Sequence, residues 1–211
     1  MVTNLKYGRV VILADGEYPR HGVPLKALNE ADFIVCCDGA AAALVAHGLV
    51  PGLIIGDLDS VEAGIAERYS DRIVRDTDQE SNDLTKAVRW CSSRGISSVE
   101  IVGATGRRED HTLGNISLLA DYGRMLNVRM LTDTGVIFPE YGSCSVATAP
   151  GQCFSVFSLD GGVRLTATGL QYPVSDLLLG SWWTATLNTA TGSRVELLLS
   201  PARLIIYLGH L

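Results

Sequence analysis

Short β-branched runs alternate with helix-patterned segments through the first 133 residues, and beyond that point the alternation stops. Parallel strands buried on both faces read as continuous apolar runs, and each needs a crossover, usually a helix, before the next. The runs at 9–14, 33–37, 53–55, 72–75, 99–103 and 128–132 meet that description. The clearest helix lies over 82–94, where Leu84, Ala87, Val88 and Cys91 recur at i, i+3, i+4 and i+7. A mostly parallel α/β sheet is predicted for residues 1–133. From 134 to 211, short runs at 153–159, 163–167, 184–187, 194–199 and 204–208 are separated by Gly, Pro, Asp and Ser, which predicts an all-β domain. A domain of that size seldom holds together on one core, so it should pack on the first domain or on a second copy of the chain. Trp182 and Trp183 are candidate interface aromatics.

Composition removes several function classes. With 47% apolar residues in 211, the chain has enough core for one large domain or two modest ones. A formal net charge of −6 leaves no basic face for a nucleic-acid backbone. The first apolar stretch, Val10 to Ala14, meets Asp15 too soon for a signal peptide, and no run reaches membrane-spanning length, so a cytoplasmic protein is expected. Cys36, Cys37, Cys91, Cys144 and Cys153 form no C-x-x-C pair and read as buried reduced thiols. His21, His47, His111 and His210 lack zinc spacing.

Ligands of open α/β sheets bind beyond the carboxyl ends of the strands, and four successive runs here end in polar clusters. The second leads into Asp38-Gly39-Ala40 and the third into Gly56-Asp57-Leu58-Asp59-Ser60. The fourth leads into 76–83, and the fifth into Gly103-Ala104-Thr105-Gly106-Arg107-Arg108-Glu109-Asp110-His111. If the third run stays extended, Asp57 and Asp59 face the same side. At roughly 6–7 Å and an effective dielectric near 20, their repulsion is about 2.5 kcal/mol, which a divalent cation would reverse. Gly103 to Gly106 offers backbone N–H groups and a helix N-terminus to an anion, with Arg107 and Arg108 beside it. Asp110 suits a metal or ribose and stands equally where an N-cap belongs. Asp83 opens its helix and suits either a ligand or a first-turn acid. His111 and Asn115, four apart, share a helix face. Neither a Walker loop nor a G-x-G-x-x-G fingerprint is present, so carboxylates with Mg²⁺ must manage any phosphate.

These segments resemble the thiamine pyrophosphokinase family, whose G-D-[LF]-D-S, T-D-[LF]-T-K and G-x-x-G-G-R-x-D-H-x-L-x-N motifs read here Gly56–Ser60, Asn82-Asp83-Leu84-Thr85-Lys86 and Gly103 through Asn115. The resemblance extends to the layout, with Gly169-Leu170-Gln171-Tyr172-Pro173 in the β domain. It implies a Rossmann-like α/β nucleotide-binding domain (1–133), then a small sandwich-like all-β domain (134–211) for thiamine binding and dimerisation. The implied reaction moves the pyrophosphoryl unit of ATP, the co-substrate, to the thiamine hydroxyl with Mg²⁺, giving thiamine diphosphate and AMP. By position, Asp57, Asp59 and Asp83 would be catalytic and metal-binding. Asp38, Gly39, Gln79, Lys86, Gly103, Thr105, Gly106, Arg107, Arg108, Asp110, His111 and Asn115 would bind nucleotide. Asn188, Trp182 and Trp183 would bind thiamine at the interface of a homodimer, although a core role suits both tryptophans as well. Three departures stand out. The family's D-G-G-A-N reads Asp38-Gly39-Ala40-Ala41-Ala42, its G-G-R reads Gly106-Arg107-Arg108, and its Ser-Asn reads Leu187-Asn188. They leave open a related diphosphotransferase or nucleotide hydrolase with another acceptor, or a non-catalytic nucleotide-binding regulator.

Overall fold

Residues 7–211 are described by a computed structural model, and the chain divides into two compact units, Met1–Asp133 and Thr134–Leu211. In the first unit the apolar runs form six strands: β1 (Val10–Leu13), β2 (Phe33–Cys37), β3 (Leu53–Gly56), β4 (Ile73–Arg75), β5 (Ser98–Val102) and β6 (Asn127–Leu131). All pair in parallel, in the order β6-β5-β1-β2-β3-β4. The chain therefore starts in mid-sheet, builds outward to β4, and returns to the other side of β1 with β5. β1 and β3 are buried along their whole length, which is why they read as unbroken apolar runs.

The crossovers carry α1 (Gly22–Asn29), α2 (Ala40–Ala46), α3 (Ala63–Arg68), α4 (Asp83–Ser93) and α5 (Glu109–Tyr122). The predicted face of α4 is the buried one: Leu84, Ala87, Val88 and Cys91 all lie inside. Asn82 caps this helix, its Oδ1 accepting from the Thr85 N–H at 2.9 Å. The Thr85 hydroxyl is 2.7 Å from the buried Tyr122 hydroxyl of α5, tying the two helices together. At α1, Asp133 accepts the backbone N–H groups of Arg20 and His21 at 3.0 Å, so a residue after β6 secures the start of the first helix.

The second unit has two antiparallel sheets. One runs β12 (Ala185–Thr189), β9 (Cys153–Ser158), β14 (Leu204–Gly209), β7 (Gly135–Glu140); the other runs β11 (Val174–Leu178), β10 (Arg164–Thr168), β13 (Arg194–Leu198), β8 (Cys144–Ala147). Alternate residues, such as Leu165 and Ala167 or Val195 and Leu197, point inward and meet Phe154, Val156, Leu204 and Ile206 of the other sheet in one apolar core. This is the sandwich that period-2 patterning builds. Of the five cysteines, all free, Cys36, Cys37 and Cys91 are buried, but Cys144 is half-buried and Cys153 exposed, against the expectation of five buried thiols.

Phe154 is fully buried where β9 meets β14 and β12. Phe154→Ala should cost about 3–5 kcal/mol, read as a lower urea midpoint; a loss under about 1 kcal/mol would show that this core is not built around it.

Candidate active site

The strand order places a crevice where β1, β2, β3 and β5 end, beside the point at which the chain reverses its direction across the sheet. A cavity of about 460 Å³ lies there, lined from all these strand ends and from the starts of α4 and α5.

Directly after β2, Asp38 takes a left-handed backbone (φ 41°), a conformation an aspartate tolerates better than most residues. Its N–H donates to the Ile55 carbonyl at 2.9 Å, and its Oδ2 accepts from the Ser60 N–H at 3.3 Å. The residue is 4% exposed, and among the described residues its Oδ1 has no hydrogen-bond partner. Burial pushes the Asp38 carboxyl up to about 6, against the pull of the Ser60 N–H, and the neighbouring Asp83 charge adds to the rise.

β3 stops at Gly56, and glycine is required there because a Cβ would stand 2.9 Å from the Asp38 Cβ and 3.2 Å from the Asp83 carboxyl carbon. Two carboxylate side chains thus flank one strand end. The expectation of an extended Asp57–Asp59 segment is corrected: Leu58 is left-handed (φ 71°), and the chain turns. The pair converges all the same, because the Asp59 N–H donates to Asp57 Oδ1 at 3.2 Å. That bond, more than the Lys86 charge, holds the Asp57 carboxyl below its ordinary value. One oxygen from each of Asp38, Asp57 and Asp59 lies within 4.8 Å of the others. An all-oxygen, all-anionic set suits a hard divalent cation such as Mg²⁺.

Asp83 is not in that triad. As the first residue of α4 it faces the helix dipole and the cavity at once, and its Oδ1 accepts from Lys86 Nζ at 2.9 Å. Lys86 is 3% exposed, and a buried ammonium needs such a partner. The other two cavity cations are also held by aspartates. Arg107 Nη1 donates to Asp15 Oδ1 at 2.8 Å and to the Asp15 carbonyl at 3.1 Å, while Arg108 donates from Nε to Asp110 at 3.0 Å. Arg108 brings the Asp110 carboxyl down to about 2. The capping alternative for Asp110 is not realised: α5 begins one residue earlier, with Arg108 at the cap and no capping side chain.

Gln79, Thr105, His111 and Asn115 line the cavity as expected. The Asn115 amide is engaged on both sides, accepting from Asn82 at 3.1 Å and donating to the Ala104 carbonyl at 2.9 Å, so it braces the crevice wall. Gly39, Gly103, Gly106 and Asp110 are not among the lining residues; Gly39 precedes α2, where a Cβ would come 3.0 Å from Asp15 Oδ2. Sequence reasoning missed Asp15 and Gly16 after β1, and it gave no individual role to Ser60, Asp78, Ser81 and Asn82, which lie in the polar clusters it named. The Gly16 and Glu17 N–H groups donate to the carbonyls of Gly103 (2.6 Å) and Thr105 (2.8 Å), locking the β1 loop to the glycine loop.

Asn188, Trp182 and Trp183 belong to the second unit. Asn188 is buried: its Nδ2 donates to the Tyr172 carbonyl at 2.8 Å, and its Oδ1 accepts from Tyr172 N–H at 3.0 Å and Thr189 N–H at 2.9 Å. It clamps the 169–173 loop. Trp182 packs edge-on to Phe157, and Trp183 is 76% exposed, so neither is a core residue.

Comparison with known proteins gives one answer. A family model described as thiamin pyrophosphokinase, catalytic domain, matches residues 25–131, and one described as thiamin pyrophosphokinase, substrate-binding domain, matches 135–207. Thiamine pyrophosphokinase of Bacillus subtilis is 30% identical over 155 residues, covering 68% of this chain and 72% of its own. Thiamin pyrophosphokinase 1 of Caenorhabditis elegans is 30% identical over 100 residues, 43% of this chain and 41% of its own, so the matched part spans under half of that relative. Among solved structures, the Bacillus subtilis thiamine pyrophosphokinase superposes with a TM-score of 0.80 at 21% identity, covering 95% of this chain and 99% of that one. The yeast enzyme gives 0.81 at 19%, covering 98% and 87%.

The crowding at Gly56 is open to test. Gly56→Ala should keep the far-UV circular dichroism spectrum and lower stability by about 1–3 kcal/mol through overpacking; an unchanged melting temperature would show that the strand end has room for a methyl group.

Proposed function

The chain belongs to the thiamin pyrophosphokinase family, whose members are diphosphotransferases, and from that premise we propose that it transfers the pyrophosphoryl group of ATP to the hydroxyl of thiamine with Mg²⁺, giving thiamine diphosphate and AMP. The observation that carries this reading is the charge of the cavity. Asp15, Asp38, Asp57, Asp59, Asp78 and Asp83 line it against only Lys86, Arg107 and Arg108. Two of these cations are bonded to lining aspartates and the third to Asp110. A polyphosphate enters such a site together with a divalent cation or not at all.

Asp57 and Asp59 would hold the Mg²⁺, whose charge would neutralise that of the phosphates. Ala104 and Thr105 of the Gly103–Gly106 loop line the cavity with the N-terminal turn of α5, and their backbone N–H groups would meet the phosphates there. Arg107 engages Asp15 through Nη1, and a guanidinium carries further N–H donors for a phosphate oxygen. His111, on the first turn of α5, and Gln79 line the same cavity and would contact the nucleotide. The acceptor hydroxyl attacks the β-phosphorus as the bond to the bridging oxygen of AMP breaks, and the hydroxyl proton passes to Asp83, whose carboxylate Lys86 orients. Catalysis on this reading is positioning and charge neutralisation. The second unit supplies the acceptor site: Trp182 and Trp183 offer exposed aromatic faces to the thiamine rings, and Asn188 fixes the loop at Tyr172. The same exposed aromatics suit a homodimer. Among the described residues no helix is long and apolar enough to cross a membrane, in keeping with a cytoplasmic enzyme.

Purified protein incubated with ATP, Mg²⁺ and thiamine should release AMP and thiamine diphosphate in equal amounts. Nucleotide hydrolysis that leaves thiamine unconsumed would replace this reading with a hydrolase, and binding without turnover would replace it with a regulator. Asp59→Asn should abolish turnover with an unaltered circular dichroism spectrum; an active, well-folded variant would remove the cation from this pair.

A further inference from the structure

We infer that Tyr122, a buried tyrosine outside the cavity, is a positioning residue: its hydroxyl heads a hydrogen-bond relay through Thr85, Asn82 and Asn115 to the Ala104 carbonyl, and this relay fixes the start of α4 against the Ala104–Thr105 loop. The relay stands on its own geometry, and its role in turnover rests on the reaction proposed above.

The polarity of the relay follows from its two ends. A carbonyl only accepts, so the Asn115 atom 2.9 Å from the Ala104 oxygen is Nδ2, and Asn115 Oδ1 turns to Asn82. Facing that acceptor at 3.1 Å, Asn82 must present its Nδ2, which leaves its Oδ1 for Thr85. The Thr85 backbone N–H, a donor only, lies 2.9 Å from the same Oδ1 and demands this orientation independently. The Thr85 hydroxyl is 2.7 Å from that oxygen, so its one proton goes to Asn82. Only a lone pair then remains for Tyr122 at 2.7 Å, and the phenol is the donor. Burial pushes the Tyr122 phenol above its ordinary value and so keeps that proton in place.

Tyr122 is 1% exposed, and neither it nor Thr85 lines the cavity. The far members of the relay do reach the site. Asn82 caps α4, and the helix opens with Asp83, the partner of Lys86. Ala104 and Thr105 line the same cavity. The relay thus joins the two walls that the proposed reaction needs in register: the Asp83–Lys86 pair, which takes the acceptor proton, and the loop that meets the phosphates. Buried hydrogen bonds in a chain reinforce one another, and a small misplacement of reacting groups lowers turnover more than it weakens binding.

Tyr122→Phe removes the hydroxyl and keeps the ring. With ATP, Mg²⁺ and thiamine, well below the melting temperature, kcat should fall about tenfold while the KM values for both substrates stay within about threefold. Thr85→Val breaks the relay in its middle and should lower kcat at least as far. The double variant should be no slower than Thr85→Val alone, because a relay broken once is already broken. Thr85→Val also carries the test should Tyr122→Phe not fold. In nuclear magnetic resonance spectra of nucleotide-free protein, the Asn115 side-chain amide should shift in Tyr122→Phe, although Thr85 and Asn82 stand between them. A folded Tyr122→Phe that keeps the wild-type kcat overturns the inference and leaves the proposed reaction standing, as does a double variant whose losses multiply. A lower melting temperature with kcat and the Asn115 amide unmoved gives Tyr122 a structural role only and overturns it too. Wild-type protein that consumes no thiamine overturns the proposed reaction and the part of Tyr122 in it, and the Asn115 amide then decides for or against the relay alone.

Discussion

Mutual repulsion among aspartates at the carboxyl ends of the strands is the constraint the first unit is arranged around. Six of them share a cavity of about 460 Å³, and like charges a few ångströms apart in a partly dry crevice destabilise the fold that holds them. Each is accommodated by a local device. Asp83 sits on the positive end of α4 and against Lys86. Asp15 is paired with Arg107 across two loops. Asp78 accepts from the Ser81 hydroxyl, the Glu80 N–H and Arg89. Asp57 takes the Asp59 N–H. Asp59 takes the Ser60 hydroxyl and Asp38 the Ser60 N–H, so among the described residues Asp38, Asp57 and Asp59 have hydrogen-bond donors but no ion pair. Gly56 makes the crowding sterically possible by leaving out the one side chain that would separate Asp38 from Asp83.

Much of this was legible in the sequence because it depends on local pattern. The buried face of α4 follows from 3.6-residue periodicity, and the parallel strands follow from β-branched runs between helices. The Asp57–Asp59 convergence was legible for a different reason from the one that holds: the segment is a turn through a left-handed Leu58, and the backbone N–H of Asp59, not strand alternation, brings the carboxylates together. Of the two readings of Asp110, capping is the one set aside, because α5 begins at Glu109 and Asp110 lies inside the helix, where its carboxylate accepts from the His111 N–H and from Arg108. Asp15 and Gly16 escaped entirely. Nothing in their own segment marks them; they join the site because β1 lies between β2 and β5, and strand order is a property of the whole sheet. In the second unit β7 and β11 carry weak signals, one holding Pro139 and the other bending at a left-handed Asp176 where the register shifts.

The departures from the family's motifs are placed where the fold absorbs them. Ala40 and Ala42 replace the second glycine and the asparagine of D-G-G-A-N; Ala40 is buried on the inner side of α2, so the lost glycine is exchanged for helix propensity, and Ala42 is half-buried on the same helix. Arg107 stands where the family has glycine, and its guanidinium is taken up by Asp15. An insertion of charge is thus matched by a charge from a loop that the family motif does not include.

Leu187 is the departure with the most consequence. It is 86% exposed and left-handed (φ 59°), a conformation that leucine adopts only under external constraint. Part of that constraint is its N–H, which donates to the Ser155 hydroxyl on the adjacent strand at 3.1 Å. Ser155 is buried, and its hydroxyl, spent on the Leu187 N–H, holds the backbone in place. The neighbouring Asn188 is bonded on both sides of its amide to Tyr172. Ser155 and Asn188 therefore serve the backbone, and the large side chains this corner exposes are apolar: Leu187, Trp183 and Trp182. On the reading proposed above, in which the acceptor binds at this corner, ring stacking and apolar contact would carry more of its recognition than hydrogen bonds.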